Sequence, residues 1–115
     1  MAPIMKRNDF DSSDIDQWEI NEAFATQVLA CLQAWQDNEY CQQELGLEAA
    51  FAPVDEDKLN VDGGGVAIGH PVGASGARIV LHLLKTLQRT QGKRGMASLC
   101  IGGGQGGAML VERTE

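Results

Sequence analysis

Cysteine is scarce in this chain: Cys31, Cys41 and Cys100 are an odd number and show no C-x-x-C spacing. A disulfide-stapled scaffold is therefore not expected, and neither is a metal site, since His70 and His82 show no H-x-x-x-H spacing. Free thiols in a reducing, cytoplasmic setting are the expectation. Positive charge is also short. Nine Lys and Arg against sixteen Asp and Glu give a formal net charge of -7, which leaves phosphate-backbone binding without support, so no nucleic-acid partner is expected. Long apolar runs are missing as well. The longest, Ile79 to Leu84, is interrupted by His82 and flanked by Arg78 and Lys85, far from the roughly 20 residues that span a bilayer. No membrane partner is expected, and Met1 to Lys6 shows no basic-then-apolar leader. Nucleotide signatures fail too: G-x-x-x-x-G-K-[ST] does not occur and no G-x-G-x-x-G stands between a strand and a helix.

What remains is ordinary globular composition, 43% hydrophobic and 22% charged over 115 residues, enough for one small domain. Residues 1–13 are polar and unpatterned, with Asp9, Asp11, Ser12 and Ser13 clustered, and read as an extended arm or an expression remnant. Trp18 to Ile20 reads as a strand, followed by a helix with Phe24, Val28, Cys31, Leu32 and Trp35 at helical spacing. Residues 36–58 are acidic and irregular, with a short helix from Glu39 to Leu45 stopped by Gly46. A strand is expected between Leu59 and Ile68. The next helix carries a buried stripe of Ala77, Val80, Leu83, Leu84 and Leu87, with Ser75 as N-cap, Gly92 as end signal and His82 solvated on the polar face. Met96 to Ile101 and Ala108 to Glu112 read as strands around a glycine-rich hairpin. The fold class is α/β, a layered sheet with a mixed edge in the order β-α-(long connection)-β-α-β-β.

Eleven of the fourteen glycines fall in three groups, at 63–65, at 69, 73 and 76, and at 102–107. Tight turns explain one such group; three at the ends of elements favour a binding site. Three residues there can carry chemistry. His70, between Gly69 and Pro71, is either a solvated loop residue or an acid/base. Cys100, opening onto Gly102-Gly103-Gly104, is either a small buried hydrophobe or a thiol near free backbone N–H groups. Asn21, after the first strand, is either an N-cap or an amide aimed into the crevice beyond the strand ends. An imidazole, a thiol and backbone donors suit acyl-thioester chemistry, because imidazole and thiol exchange protons near neutral pH and N–H groups hold an oxyanion. Cys31 reads as core, and Cys41 has no partner motif.

Three ordered motifs carry a family resemblance: Asn21-Glu22-Ala23-Phe24-Ala25; Asn60-Val61-Asp62-Gly63-Gly64 continuing through Gly69-His70-Pro71-Val72-Gly73-Ala74-Ser75-Gly76-Ala77-Arg78; and Cys100-Ile101-Gly102-Gly103-Gly104-Gln105-Gly106. From about Asp14 to Arg113 the chain resembles the C-terminal half of a thiolase, more narrowly the bacterial acetyl-CoA C-acetyltransferases and 3-ketoacyl-CoA thiolases. The resemblance implies a thiolase-like C-terminal domain over residues 14–115, a mixed sheet with helices packed on it. It implies acyl transfer between coenzyme A thioesters, by Claisen condensation or by thiolysis of 3-ketoacyl-CoA. His70 would activate the nucleophilic cysteine and donate to the thioester oxyanion, Asn21 would orient the water of that oxyanion hole, Cys100 would be the acid/base cysteine, and the Gly102 N–H would serve the second oxyanion hole. Acyl-CoA or coenzyme A would be substrate, with no bound cofactor. One departure stands out: in thiolases the nucleophilic cysteine lies in the N-terminal half, and neither Cys31 nor Cys41 stands in its motif. The coenzyme A-binding insertion is missing too. The implied partners are thus an N-terminal thiolase half and further copies of the chain in a homo-oligomer, with the chain alone inactive. The alternative is a noncatalytic thiolase-like binding or interaction module.

Overall fold

The computed structural model describes residues 1–114. Its centre is a three-stranded mixed sheet in the order β1-β2-β3. Strand β1 (Gln17–Ile20) runs parallel to β2 (Arg94–Gly102), with Trp18 beside Met96 and Ile20 beside Ser98. Strand β3 (Gln105–Glu112) is antiparallel to β2, with Ser98 beside Ala108 and Cys100 beside Gly106. The hairpin turns on Gly103 and Gly104, both at positive φ (61° and 72°), the backbone that a tight two-residue hairpin needs and that glycine adopts without steric cost.

Side chains alternate across the sheet, so each face gathers its own core. On one, Trp18 and Met96 pack with Ile15 and Met5; on the other, Ala97 packs under Ile79, Leu83 and Leu87 of helix α5 (Ser75–Thr90). The helix lies close because a Cβ at Gly95 would stand 2.7 Å from Leu83 Cδ1. Helix α2 (Ala25–Trp35) returns over the first face, its Trp35 ring 6.4 Å from that of Trp18. Helix α3 (Asn38–Gln43), capped by the Asp37 carboxylate on Tyr40 N–H, and Gly46 at φ 61° match the short helix and glycine stop expected there.

Five expectations are corrected. Residues 1–13 are no extended arm: Ala2–Asn8 form helix α1 and bury Met5 in the core. The polar stretch that follows caps the next turn, Asp11 accepting from Ser12 N–H and Asp14 from Asp11 N–H, both at 2.8 Å. The middle strand is reduced to one bridge between Trp18 and Leu59. Asn60 then takes φ 46°, and its side chain replaces the strand, accepting from Ile20 N–H and donating to Ile20 C=O, each at 2.9 Å. Val66 to Ile68 belong to a single helical turn, α4 (Gly65–Ile68). The α5 stripe is rotated: Ile79, Leu83, Thr86 and Leu87 are buried, whereas Ala77 and Leu84 are exposed. The helix ends on Gln91 at φ 58° rather than on Gly92. On α2 only Val28 is fully buried; Phe24 and Leu29 are exposed.

Candidate active site

The site is assembled at the carboxyl ends of the parallel strands β1 and β2. Asn21 leaves β1 with its N–H donating to Ser98 C=O at 2.8 Å and is 2% exposed. It does not cap α2, whose N-cap is Phe24 without a side-chain bond, so its amide is free for another partner. That partner is His70: Asn21 Nδ2 lies 3.5 Å from His70 Nδ1, at the outer limit of a hydrogen bond.

His70 is reached by a chain path that glycine makes possible. Gly64 and Gly65 lie against the Asn21 motif so closely that a Cβ at Gly65 would sit 2.6 Å from Glu22 C=O, and one at Gly64 3.0 Å from the Glu22 carboxyl. Glu22 locks the approach, accepting from Asn60 Nδ2 and from Val66 N–H at 3.1 Å each. This first glycine group therefore serves packing between motifs rather than a ligand. Gly69 follows at φ 86°, its carbonyl held by Arg78 Nη2, and the next residue is the half-buried His70.

Ser75 was expected as an N-cap; it is the first residue of α5, fully buried, and its Oγ lies 2.6 Å from His70 Nδ1. Oγ donates to Pro71 C=O at 3.1 Å, an oxygen that also accepts from Ala74 and Ser75 N–H at 2.8 and 2.9 Å. The hydroxyl oxygen and the Asn21 amide thus both stand against the Nδ1 edge of His70, and the donor and acceptor roles there follow the tautomer of the ring.

Cys100 is exposed on β2, two residues beyond Ser98 and on the same face. It lines a cavity of about 480 Å³ with Cys31, Gln27 and Trp35 of α2. Among the described residues no hydrogen bond joins Cys100 to His70 or Asn21; what they share is the end of the sheet. Gly102, at φ 100° and exposed, marks an irregularity in the β2–β3 register. Cys41 is fully buried with its thiol directed at Ala34 and Trp35 carbonyls, a structural role.

The sequence reading missed one polar cluster. His82 is partly exposed, but its Nε2 is partnered as well: it lies 3.0 Å from Asp62 Oδ2, 3.5 Å from Glu19 Oε1 and 3.3 Å from Thr86 Oγ1. Arg89 bonds the same Asp62 oxygen at 2.6 Å, and this hydrogen bond holds the Asp62 carboxyl below its usual range. Glu19, 4% exposed on the α5 face of β1, is pushed up to about 7 by burial, with Asp62 and Glu22 adding repulsion. A carboxylate between Trp18 and Ile20 in a short apolar strand was the available signal. Glu19, His82 and Asn21 line a second cavity of about 210 Å³, and Ile20 is a wall common to both cavities.

Comparison with known proteins places this geometry. The family described as thiolase, C-terminal domain, matches residues 1–113. An acetyl-CoA acetyltransferase of Cupriavidus necator is 46% identical over 109 residues, covering 95% of this chain and 23% of that protein. A 3-ketoacyl-CoA thiolase of Colwellia psychrerythraea is 40% identical over 112 residues, covering 96% and 26%. The structure of acetyl-CoA acetyltransferase from Syntrophomonas wolfei superimposes with a TM-score of 0.74 at 39% identity, over 94% of this chain and 24% of that one. The chain thus spans about a quarter of the length of these relatives. With the Asn21, His70 and Cys100 motifs gathered at one end of an α/β sheet and a match across nearly every residue, the chain belongs to the thiolases and corresponds to their C-terminal domain.

Proposed function

We propose that this chain supplies the acid/base and oxyanion-binding part of a thiolase that transfers acyl groups between coenzyme A thioesters, by Claisen condensation or by thiolysis of 3-ketoacyl-CoA. The observation that carries the reading is the Asn21–His70–Ser75 cluster, which joins two motifs 49 residues apart at the strand ends that also bear Cys100. His70 donates to a thioester carbonyl as negative charge develops there, and Asn21 holds the water that shares this task. In the free enzyme the imidazole takes the proton of the nucleophilic cysteine, which the rest of the thiolase length provides. The Cys100 thiol gives and takes the substrate α-proton or protonates the leaving coenzyme A thiolate, and the Gly102 N–H receives the second oxyanion. No bound cofactor enters this scheme; coenzyme A thioesters are substrates, and the setting is cytoplasmic.

The test is reconstitution. The chain is mixed with the separately produced N-terminal three-quarters of the Cupriavidus necator relative and assayed for thiolysis of acetoacetyl-CoA. Activity should require both parts and be lost in His70→Ala; activity that survives His70→Ala, or that the chain shows by itself, overturns the reading.

A further inference from the structure

We propose that Glu19, Asp62 and His82 form a protonation-dependent clasp that sets how firmly the turn at Asn60–Gly63, and through α4 the imidazole of His70, is held against β1. All three are positioning residues. The inference takes from the thiolase reading only what His70 does once it is in place.

The turn is the last bend before the chain runs through α4 and Gly69 to His70, and it carries positive φ at Asn60 (46°) and Gly63 (81°). Two attachments hold it. One is made of neutral groups, the Asn60 amide on both backbone groups of Ile20. The other is ionic and crosses to α5, where Asp62 Oδ2 meets His82 Nε2 at 3.0 Å and Arg89 Nη2 at 2.6 Å. The side chains of His82, Asp62 and Arg89 are 35%, 37% and 58% exposed, and ion pairs so open to water contribute little. A buried charge beside them can therefore shift the balance.

Glu19 is placed to do so. Its side chain is 5% exposed and shares a cavity of about 210 Å³ with Asp62, His82, Glu22 and Arg78. From α5 it is faced by His82 at 3.5 Å and by Arg78, whose guanidinium is turned to Gly69 C=O; from the turn by Asp62; from the segment after β1 by Glu22; its neighbour on β2 is the uncharged Ala97. Glu19 and Asp62 oxygens both look to the same Nε2, which has one hydrogen to give. Burial first, then repulsion from Asp62 and Glu22, keeps the Glu19 proton on up to about 7, whereas the Arg89 hydrogen bond holds the Asp62 carboxyl below its usual range. Glu19 is thus the acid of the pair that changes charge near neutrality. Once ionised it repels Asp62 and competes for the His82 hydrogen, and both effects lift the turn from β1. The clasp is closed in acid and loosened in alkali.

The test is NMR of the full chain, labelled in glutamate carboxyl carbon and in amide nitrogen, across neutral pH. Fast solvent exchange, read by magnetisation transfer, reports openings of the native state and not global unfolding. As the Glu19 carboxyl titrates, exchange at Gly63 N–H, which donates to Asn60 C=O, and at Val66 N–H, which donates to Glu22, should rise on the order of tenfold beyond what pH itself causes, with matching shifts at Gly69 and His70. Glu19→Gln should abolish the step, and His82→Gln should exchange fast at every pH; if a variant fails to fold, coincidence of the wild-type carboxyl and amide midpoints decides. No step beyond the intrinsic rise, a step that survives Glu19→Gln, or one that stops before Gly69 overturns the inference. A step without reconstituted thiolysis would keep the clasp and remove the thiolase reading; reconstituted thiolysis without the step would do the reverse.

Discussion

Replacing Glu19 by Gln should stabilise the fold at alkaline pH and leave it unchanged in acid. Glu19 is 4% exposed, and its carboxyl is raised from 4.5 to about 7 by burial first and by Asp62 and Glu22 second. The native state therefore holds its proton over a range where the unfolded chain has released it. Stability is fully present below about 4.5, falls as pH rises, and reaches its full loss above about 7. The difference corresponds to about 3 kcal/mol, and with so little exposure solvent screening removes only a small part of it. Glutamine keeps the shape and cannot ionise, so urea unfolding followed by Trp18 and Trp35 fluorescence should show Glu19→Gln more stable than wild type by about 2–3 kcal/mol at pH 8, with coincident curves at pH 4. His82 Nε2, 3.5 Å from Glu19, is the competing influence: a charged imidazole would favour the carboxylate. Parallel stability curves at all pH values, or a variant weaker than wild type at pH 8, would refute the assignment of burial as the dominant cause.

Other outcomes follow from close contacts and exposure. Gly65→Ala forces a Cβ to 2.6 Å from the Glu22 carbonyl and should cost about 1–3 kcal/mol in thermal unfolding, more than Gly64→Ala, whose Cβ meets the end of a flexible carboxylate. Asn60→Ala removes the partners of both Ile20 backbone groups and should cost about 2 kcal/mol or more, read by chemical denaturation. Timed iodoacetamide labelling with mass spectrometry should modify exposed Cys100 first, half-buried Cys31 later, and buried Cys41 only on unfolding; early labelling of Cys41 would contradict its packing. Leu81 and Leu84 are 60% and 45% exposed on the outward side of α5, so light scattering of the isolated chain should show self-association that Leu81→Glu reduces, although the charge of -7 opposes it.

The glycine hairpin was legible from its own residues, and Asn21 and His70, though 49 residues apart, each stand in a motif that marks the crevice beyond the strand ends; the mixed character of the sheet was legible, but not which strands pair in parallel. What stayed hidden depends on partners distant in the chain. Asn60 could not be read as a substitute strand, because its side-chain amide does this only with Ile20 forty residues away. Asp11 and Asp14 could not be told from part of an extended arm until the turn they cap was seen, and Glu19 and His82 make sense only together. The rotated α5 stripe has a different cause. Residues 77, 79, 80, 81, 83, 84 and 87 are all apolar, so helical periodicity defines no single inward face, and the choice falls to Gly95, which admits Leu83 and with it the Ile79–Leu87 side. The outward side is mixed, with Leu81 and Leu84 exposed among Arg78, Lys85 and Arg89, so these two leucines are the part of α5 on which a further apolar layer would rest.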